Sequence, residues 1–355
     1  MATKLLLTGV TGYIGGDAFH VLKEAHPELE YTLIVRSEKR ANAVREKYPD
    51  DKNVKIVVGA ADSYTTVLEE EASKTDIILH TAESADDVPS AQAIVAGILH
   101  AKDRTATNPI VWIHLCGTGI LMWYDQLHRR YGQPPLPSET YDDITSLPRL
   151  LTLPDSAMHR DVDKIVLSVN HLTPAAKTAI VAPPTIYGVG RGPINTISQQ
   201  LPGLAQFILK NGFAPSPAPT GLTEWDNVHV SDVSSLFLAL VEAAVNPNQR
   251  DNPEIFGLSA YYFCENGKPH VWGEVSAKLA QKAVEQGYLK EAVTKLVPFK
   301  ELTVKSAALN SRSVASRARK YLGWEAKGPE LEGELAGIVE TEAKRLGVKK
   351  LEETV

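Results

Sequence analysis

The chain has 355 residues, of which 43% are apolar, enough to bury a sizeable core without metal or disulfide support. Its 37 Lys plus Arg stand against 43 Asp plus Glu, a net charge of −6 with no basic tract. That balance argues against a nucleic acid or an anionic membrane surface as the main partner and points to a small molecule. Cys116 and Cys264 are too few and too far apart for a disulfide framework or a thiolate zinc site, so no structural metal and a reducing, cytoplasmic setting are expected. The amino-terminal residues run straight into a glycine turn where a signal peptide needs a longer apolar region, and no window approaches the ~18 apolar residues of a membrane span.

Short runs rich in Val, Ile and Leu at residues 4–8, 31–35, 54–58, 76–80, 110–115 and 178–181 alternate with helix-like stretches at 14–24, 37–47, 65–72, 89–106 and 157–170. Each connection is long enough for a right-handed crossover, so the pattern predicts an α/β, doubly wound parallel sheet with helices on both faces. The stretch 120–154 holds Pro134, Pro135, Pro137, Pro148 and Pro154 and reads as a lid-like insert, mostly loop. Beyond Pro183 the regularity breaks. Residues 188–193 and 214–221 are rich in Gly and Pro, and helix-like stretches at 196–210, 233–245, 271–286 and 333–346 follow without strand patterns between them. This predicts a core over residues 1–187 and a smaller, mostly helical substrate lobe over 188–355, with 222–245 returning to the core. The charged tail 344–355 reads as a solvated helix end.

The strongest motif is Thr8-Gly9-Val10-Thr11-Gly12-Tyr13-Ile14-Gly15-Gly16, directly after the first strand and opening the first helix. Gly9 permits a tight turn, Gly12 lets the backbone approach a pyrophosphate, and Gly15 permits close packing of helix on sheet, with phosphates held at the helix N-terminus. The core is therefore expected to be a Rossmann-type dinucleotide-binding domain. Where an NAD-preferring protein places an acid at the end of the second strand, this chain has Arg36, with Arg40 one turn on. Both can donate to a 2′-phosphate, which favours NADP(H). After the third strand, Asp62 and Ser63 are placed to bond the adenine amine or, in Asp62's case, to cap the next helix.

These residues resemble the extended short-chain dehydrogenase/reductases, whose relatives include the NAD-dependent epimerase/dehydratases and the NmrA-like proteins. Besides the glycine motif, the resemblance rests on Leu79-His80-Thr81-Ala82, on Pro183-Pro184-Thr185-Ile186-Tyr187-Gly188, on the stretch from Trp225 to Asp232, and on the stretch from Ser316 to Trp324. It implies that Thr81 and Ala82 line the path of ribose and nicotinamide and that Pro183, Pro184, Thr185 and Ile186 border the nicotinamide. It also implies a Ser or Thr after strand five and a Tyr-x-x-x-Lys on the following helix, where the lysine lowers the phenol pKa.

Thr118 matches the hydroxyl position, with Cys116 at the adjacent register. The tyrosine pair is missing: only Tyr48 has a lysine four residues later, Lys52, and that pair lies in the turn before strand three. The expected helix instead reads Ser156-Ala157-Met158-His159-Arg160-Asp161-Val162-Asp163-Lys164. His159 is read either as a proton donor, because imidazole titrates in the right range, or as a surface or capping histidine. Tyr187, or Tyr124, Tyr131 and Tyr141 of the insert, are further donors. Thr118, His159 and Tyr187 are expected to converge on the nicotinamide, since two of them follow neighbouring strands at the carboxyl edge and the third begins the helix between. Asp232 is read as the cap of a helix starting at Val233, and His229 as bonding backbone. The leading function is an NADP(H)-dependent oxidoreductase or epimerase-like enzyme acting on a small carbonyl or hydroxyl compound. The alternatives are an NmrA-like nucleotide-binding regulator without redox catalysis and a non-redox lyase or isomerase; a homodimer is left open.

Overall fold

In the computed structural model, residues 2–49 and 51–351 are described. Residues 352–355 of the charged tail lie outside the described residues; before them the last helix, Leu331–Leu346, ends at Gly347 in the left-handed conformation. Five strands open the chain: β1 (Lys4–Thr8), β2 (Glu30–Val35), β3 (Val54–Val58), β4 (Ile77–His80) and β5 (Ile110–Leu115). Across the sheet the order is Tyr261–Phe263, Ala176–Ala182, β5, β4, β1, β2, β3, all parallel. The chain turns outward in opposite directions from β1 and β4, so the crevice between their carboxyl ends is the switch point of the sheet. The six strands expected are seven. The additional edge strand Tyr261–Phe263 is three residues long and pairs with Ile180–Ala182.

The first four crossovers carry helices α1 (Tyr13–Ala25), α2 (Glu38–Lys47), α3 (Tyr64–Ala72) and α4 (Val88–His100), and a longer one, Arg160–Leu172, joins β5 to the strand Ala176–Ala182. Leu5, Leu6 and Leu7 on β1 and Ile78 and Leu79 on β4 are wholly buried, as expected for strands covered on both faces, and each contributes about 1.5–3 kcal/mol by leaving water. Helix Val230–Val245 packs against α1 and joins the same core, whereas a second core around Trp225, Trp272, Leu201 and Leu335 holds the lobe together.

The two parts are fastened by a buried carboxylate. Asp17 of α1 accepts from the Arg191 guanidinium at 2.8 Å to each oxygen, from Arg191 N at 2.9 Å and from Ser234 Oγ at 2.6 Å. Burial raises its pKa, but these bonds outweigh burial and hold it below the usual range.

The insert 120–154 is more structured than its prolines suggest. It carries short helices at Trp123–Leu127 and Leu147–Leu151, and its strand Thr140–Asp142 pairs in parallel with Arg312–Val314. Its tyrosines are engaged there: Tyr141 Oη donates to Glu139 and accepts from Trp123 Nε1, Tyr131 stacks on Phe299, and Tyr124 packs on His128. Two capping expectations are also corrected. Helix Val230–Val245 starts earlier and is capped by His229, whose Nδ1 accepts from Ser231 N, while the Asp232 carboxylate accepts from the backbone of Lys327 and Gly328. Ser63, not Asp62, sits at the N-cap of α3, with no side-chain cap bond from either residue.

Candidate active site

The glycine turn lies at the switch point. Gly9 has φ +83°, and a Cβ there would meet Thr81 Oγ1 at 2.6 Å; at Gly15 the same clash is 2.2 Å. These two glycines serve close packing of β1 and α1 on the turn after β4. At Gly12 the missing Cβ meets only Gly9 O, at 3.1 Å, and otherwise faces the cleft. Gly12 is also the N-cap of α1 and supplies no side-chain bond, so the N–H groups of the first turn are left to a ligand anion. A cleft of about 380 Å³ opens over this end, lined by Gly12, Tyr13, Ile14, Gly15 and Thr81 on one side and Pro184, Ile186, Asn195 and Gln199 on the other. A larger cleft, about 700 Å³, lies at the amino edge by Lys4, Asp76 and Arg104, at the opposite end of the strands from the glycine turn.

Around the cleft the polar side chains are fixed by neighbours. Thr81 Oγ1 donates to Thr8 O at 2.6 Å, and Thr8 Oγ1 accepts from the backbone of Thr81 and Ala82. Tyr13 donates to Gly188 O at 2.7 Å, which holds the lobe's first loop over α1. Arg40 Nη1 reaches Thr11 Oγ1 at 3.2 Å, and Arg36 bonds Glu83 at 3.0 Å with its guanidinium over the Tyr64 ring. Arg40 thus stands beside the glycine turn, and Arg36 beside the turn after β4. Asp62 is exposed, and Ser63 Oγ donates to its own loop at Ala60 O, 3.4 Å away. Pro183 and Thr185 are not among the residues lining the cleft: Pro183 O accepts from Thr118 N at 3.0 Å, and Thr185 is buried with no partner for its hydroxyl among the described residues. The open Gly12 face and the helix end without a side-chain cap fit the pyrophosphate of a dinucleotide.

Thr118 and His159 come together. His159 is the N-cap of the helix Arg160–Leu172, with φ +69°, and its ring is tucked against the Gly117–Thr118–Gly119 turn after β5. A Cβ on Gly119 would lie 2.9 Å from His159 Nε2, and one on Gly117 3.5 Å. On its other side, His159 Nδ1 donates to Asp86 Oδ1 at 2.6 Å; the histidine side chain is 11% exposed and the aspartate 70%. The same bond holds the Asp86 carboxyl below its ordinary range, so it stays ionised. Thr118 is wholly buried, and its hydroxyl has no partner among the described residues. Asp86 escaped the sequence reading, although two adjacent acids before a helix, Asp86 and Asp87, leave one free when the other caps: Asp87 accepts from Ser90 N at 3.0 Å.

The other candidates are placed elsewhere. Tyr187 Oη donates to Pro329 O at 2.8 Å and accepts from Asn266, with its ring against His229, and no hydrogen bond among the described residues joins it to Thr118 or His159. Arg160 turns to Leu151 O in the insert, and Lys164 pairs with Asp155 on the surface. One turn after His159 the buried residue is Asp163, which accepts from Tyr261 Oη at 3.1 Å beside Cys116, and burial pushes its pKa up to about 6.

The chain has likenesses among known proteins. A model described as the NAD dependent epimerase/dehydratase family matches residues 5–256. The Oxidase ucsJ of Acremonium sp is 33% identical, spanning 98% of this chain and all of that protein. Among solved structures, UDP-glucose 4-epimerase of Thermotoga maritima with UDP-glucose matches at TM-score 0.63 and 16% identity, over 97% of this chain and 100% of that one. The dTDP-glucose 4,6-dehydratase of Streptomyces venezuelae with NAD matches at 0.64 and 16%, over 97% and 98%. Yeast methylglyoxal/isovaleraldehyde reductase with NADPH matches at 0.61 and 14%, over 98% and 100%. With the switch-point turn in place and the family model covering most of the chain, this protein belongs to the NAD-dependent epimerase/dehydratase family.

Proposed function

We propose that the protein is an NADP(H)-dependent oxidoreductase that interconverts a small alcohol and its carbonyl compound, with His159 in place of the tyrosine as the proton-transferring group. The observation that carries the reading is the 2.6 Å bond from His159 Nδ1 to Asp86, which leaves Nε2 directed at the turn after β5. The α1 N-terminus with Arg36 and Arg40 would hold NADP(H), which would supply the hydride acceptor or donor. In the oxidative direction His159 Nε2 takes the proton of the substrate hydroxyl, and the ionised Asp86 stabilises the imidazolium that forms. In the reductive direction the same imidazolium returns the proton to the carbonyl oxygen. Thr118 fixes the turn that faces His159 through its backbone, which donates to Pro183 O and accepts from Ser311 Oγ, while its own hydroxyl is closed off from solvent. Asp163, in the register where the resemblance places a lysine, is turned into the core and takes no proton from substrate.

The 33% relative named an oxidase supports redox chemistry over epimerisation at this site. The test is to titrate the protein with NADPH and then follow nicotinamide absorbance over a panel of aldehydes, ketones and secondary alcohols. His159→Ala should lower turnover about 10²- to 10⁴-fold, with NADPH affinity within about threefold. NADPH binding without turnover on any member of the panel would reject the enzyme in favour of a nucleotide-binding regulator.

A further inference from the structure

Glu83 follows Thr81 and Ala82 on the short connection between β4 and α4, and its φ of +49° places a non-glycine residue in the left-handed region. That conformation carries a cost for an L-residue and persists only where neighbours impose it. Here they do: Ser84 Oγ donates to Leu115 O at 2.6 Å, and Asp86 N donates to Glu83 O at 3.1 Å, so the turn is tied to β5. The result is a carboxylate held across the switch-point crevice against Arg36, Oε2 to Nη2 3.0 Å. With side chains 74% and 40% exposed, such a pair does little for folding stability. Glu83, Tyr64 and Asp87 are the groups that act on the guanidinium, and among them Glu83 alone bonds it.

We propose that Glu83 is a cofactor-discriminating residue, an internal anion for Arg36 that a 2′-phosphate must displace and to which a 2′-hydroxyl can donate. A carboxylate and a phosphate are both acceptors only and compete for the same guanidinium, whereas the ribose hydroxyl of NAD(H) brings a donor of its own. The chain therefore reads the 2′ position with two opposed groups, and Glu83 narrows the preference that Arg36 creates. This inference rests on Arg36 as the 2′-phosphate contact.

The experiment is a titration of the full chain with NADPH and with NADH, read by nicotinamide fluorescence, for the unmodified protein, Glu83→Gln, Arg36→Gln and the double variant. Glu83→Gln should raise the ratio of NADPH to NADH affinity about tenfold, the scale of one charge-assisted bond, and should raise it by less once Arg36 is already Gln, where only the bond from the 2′-hydroxyl remains to be lost. If Arg36→Gln weakens NADPH but Glu83→Gln leaves the ratio unchanged or lowers it, the proposal for Glu83 is overturned alone. If Arg36→Gln leaves NADPH affinity intact, the assignment of Arg36 and the proposal built on it both fail.

Discussion

Gly119 has no side chain at the place where His159 brings its Nε2: a methyl group there would sit 2.9 Å from that nitrogen. Because Asp86 holds the opposite side of the ring, the imidazole cannot yield without losing that bond. Gly119→Ala should therefore lower turnover by about tenfold or more while leaving NADPH affinity within about threefold, since misplacing a proton donor by a fraction of an ångström is costly. Equal kcat values for the variant and the unmodified protein would show that His159 has room to spare and does not act from this position.

Two glycines of one turn should respond differently. Gly12→Val directs its side chain into the cleft and should abolish dinucleotide binding with a native circular dichroism spectrum. Gly15→Val meets Thr81 Oγ1 and the Gly9 backbone and should lower the melting temperature as well. Identical melting temperatures for the two variants would contradict the separate roles.

Tyr187→Phe removes a hydroxyl that donates to Pro329 O and accepts from Asn266. It should cost about 1 kcal/mol of stability in a urea titration and leave turnover within about twofold. A large loss of turnover would restore Tyr187 as a proton donor.

His80 and His114 face each other on β4 and β5, fully buried, with Nδ1 atoms 3.3 Å apart and neither Nε2 partnered among the described residues. Burial pushes His80 down to about 4, and burial with its neighbour pushes His114 well down. Both are neutral in the fold and accept protons on unfolding, where they titrate near ~6.5. The unfolded state thus binds more protons below that pH. The stability that depends on this neutral pair is complete above ~6.5 and is lost as pH falls towards 4, with a slope approaching about 2.7 kcal/mol per pH unit. Chemical denaturation from pH ~7 to ~5 should show a shallower acid loss in the double variant His80→Leu/His114→Leu. Parallel slopes would mean that the pair is hydrated and titrates normally.

The backbone was more legible in the sequence than the site. Strands β1, β2, β4 and β5 stood out because both faces are covered and each is an almost unbroken apolar run, β3 because it keeps that composition at the half-buried sheet edge, and the glycine turn because its spacing has a steric cause. The edge strand Tyr261–Phe263 was hidden because its identity comes from pairing with Ile180–Ala182, far away in the chain, and three residues carry no period. Placing Tyr187 at the nicotinamide followed the backbone correctly to the sheet edge but ignored alternation: Ile186 faces the cleft, so Tyr187 faces away. Glu83 and Asp86 owe their positions to a turn with positive φ, which spacing alone does not reveal. The Asp163 carboxylate was masked by reading the helix for a lysine, when its buried stripe of Val162, Asp163 and Val166 turns that residue inward.

The pairing of Thr140–Asp142 with Arg312–Val314 has a consequence for how the protein is made. Asp143, which accepts from Arg317 N at 2.7 Å, waits for a partner 174 residues later in the chain. At ~5–20 residues per second, the ribosome delivers that partner on the order of ten to thirty seconds after the insert has emerged. The glycine turn and the His159 helix can be assembled well before then, but the pairing of the insert cannot. A nascent chain can thus assemble strands β1 to β5 early and fasten the insert to its carboxyl-terminal partner only near the end of synthesis.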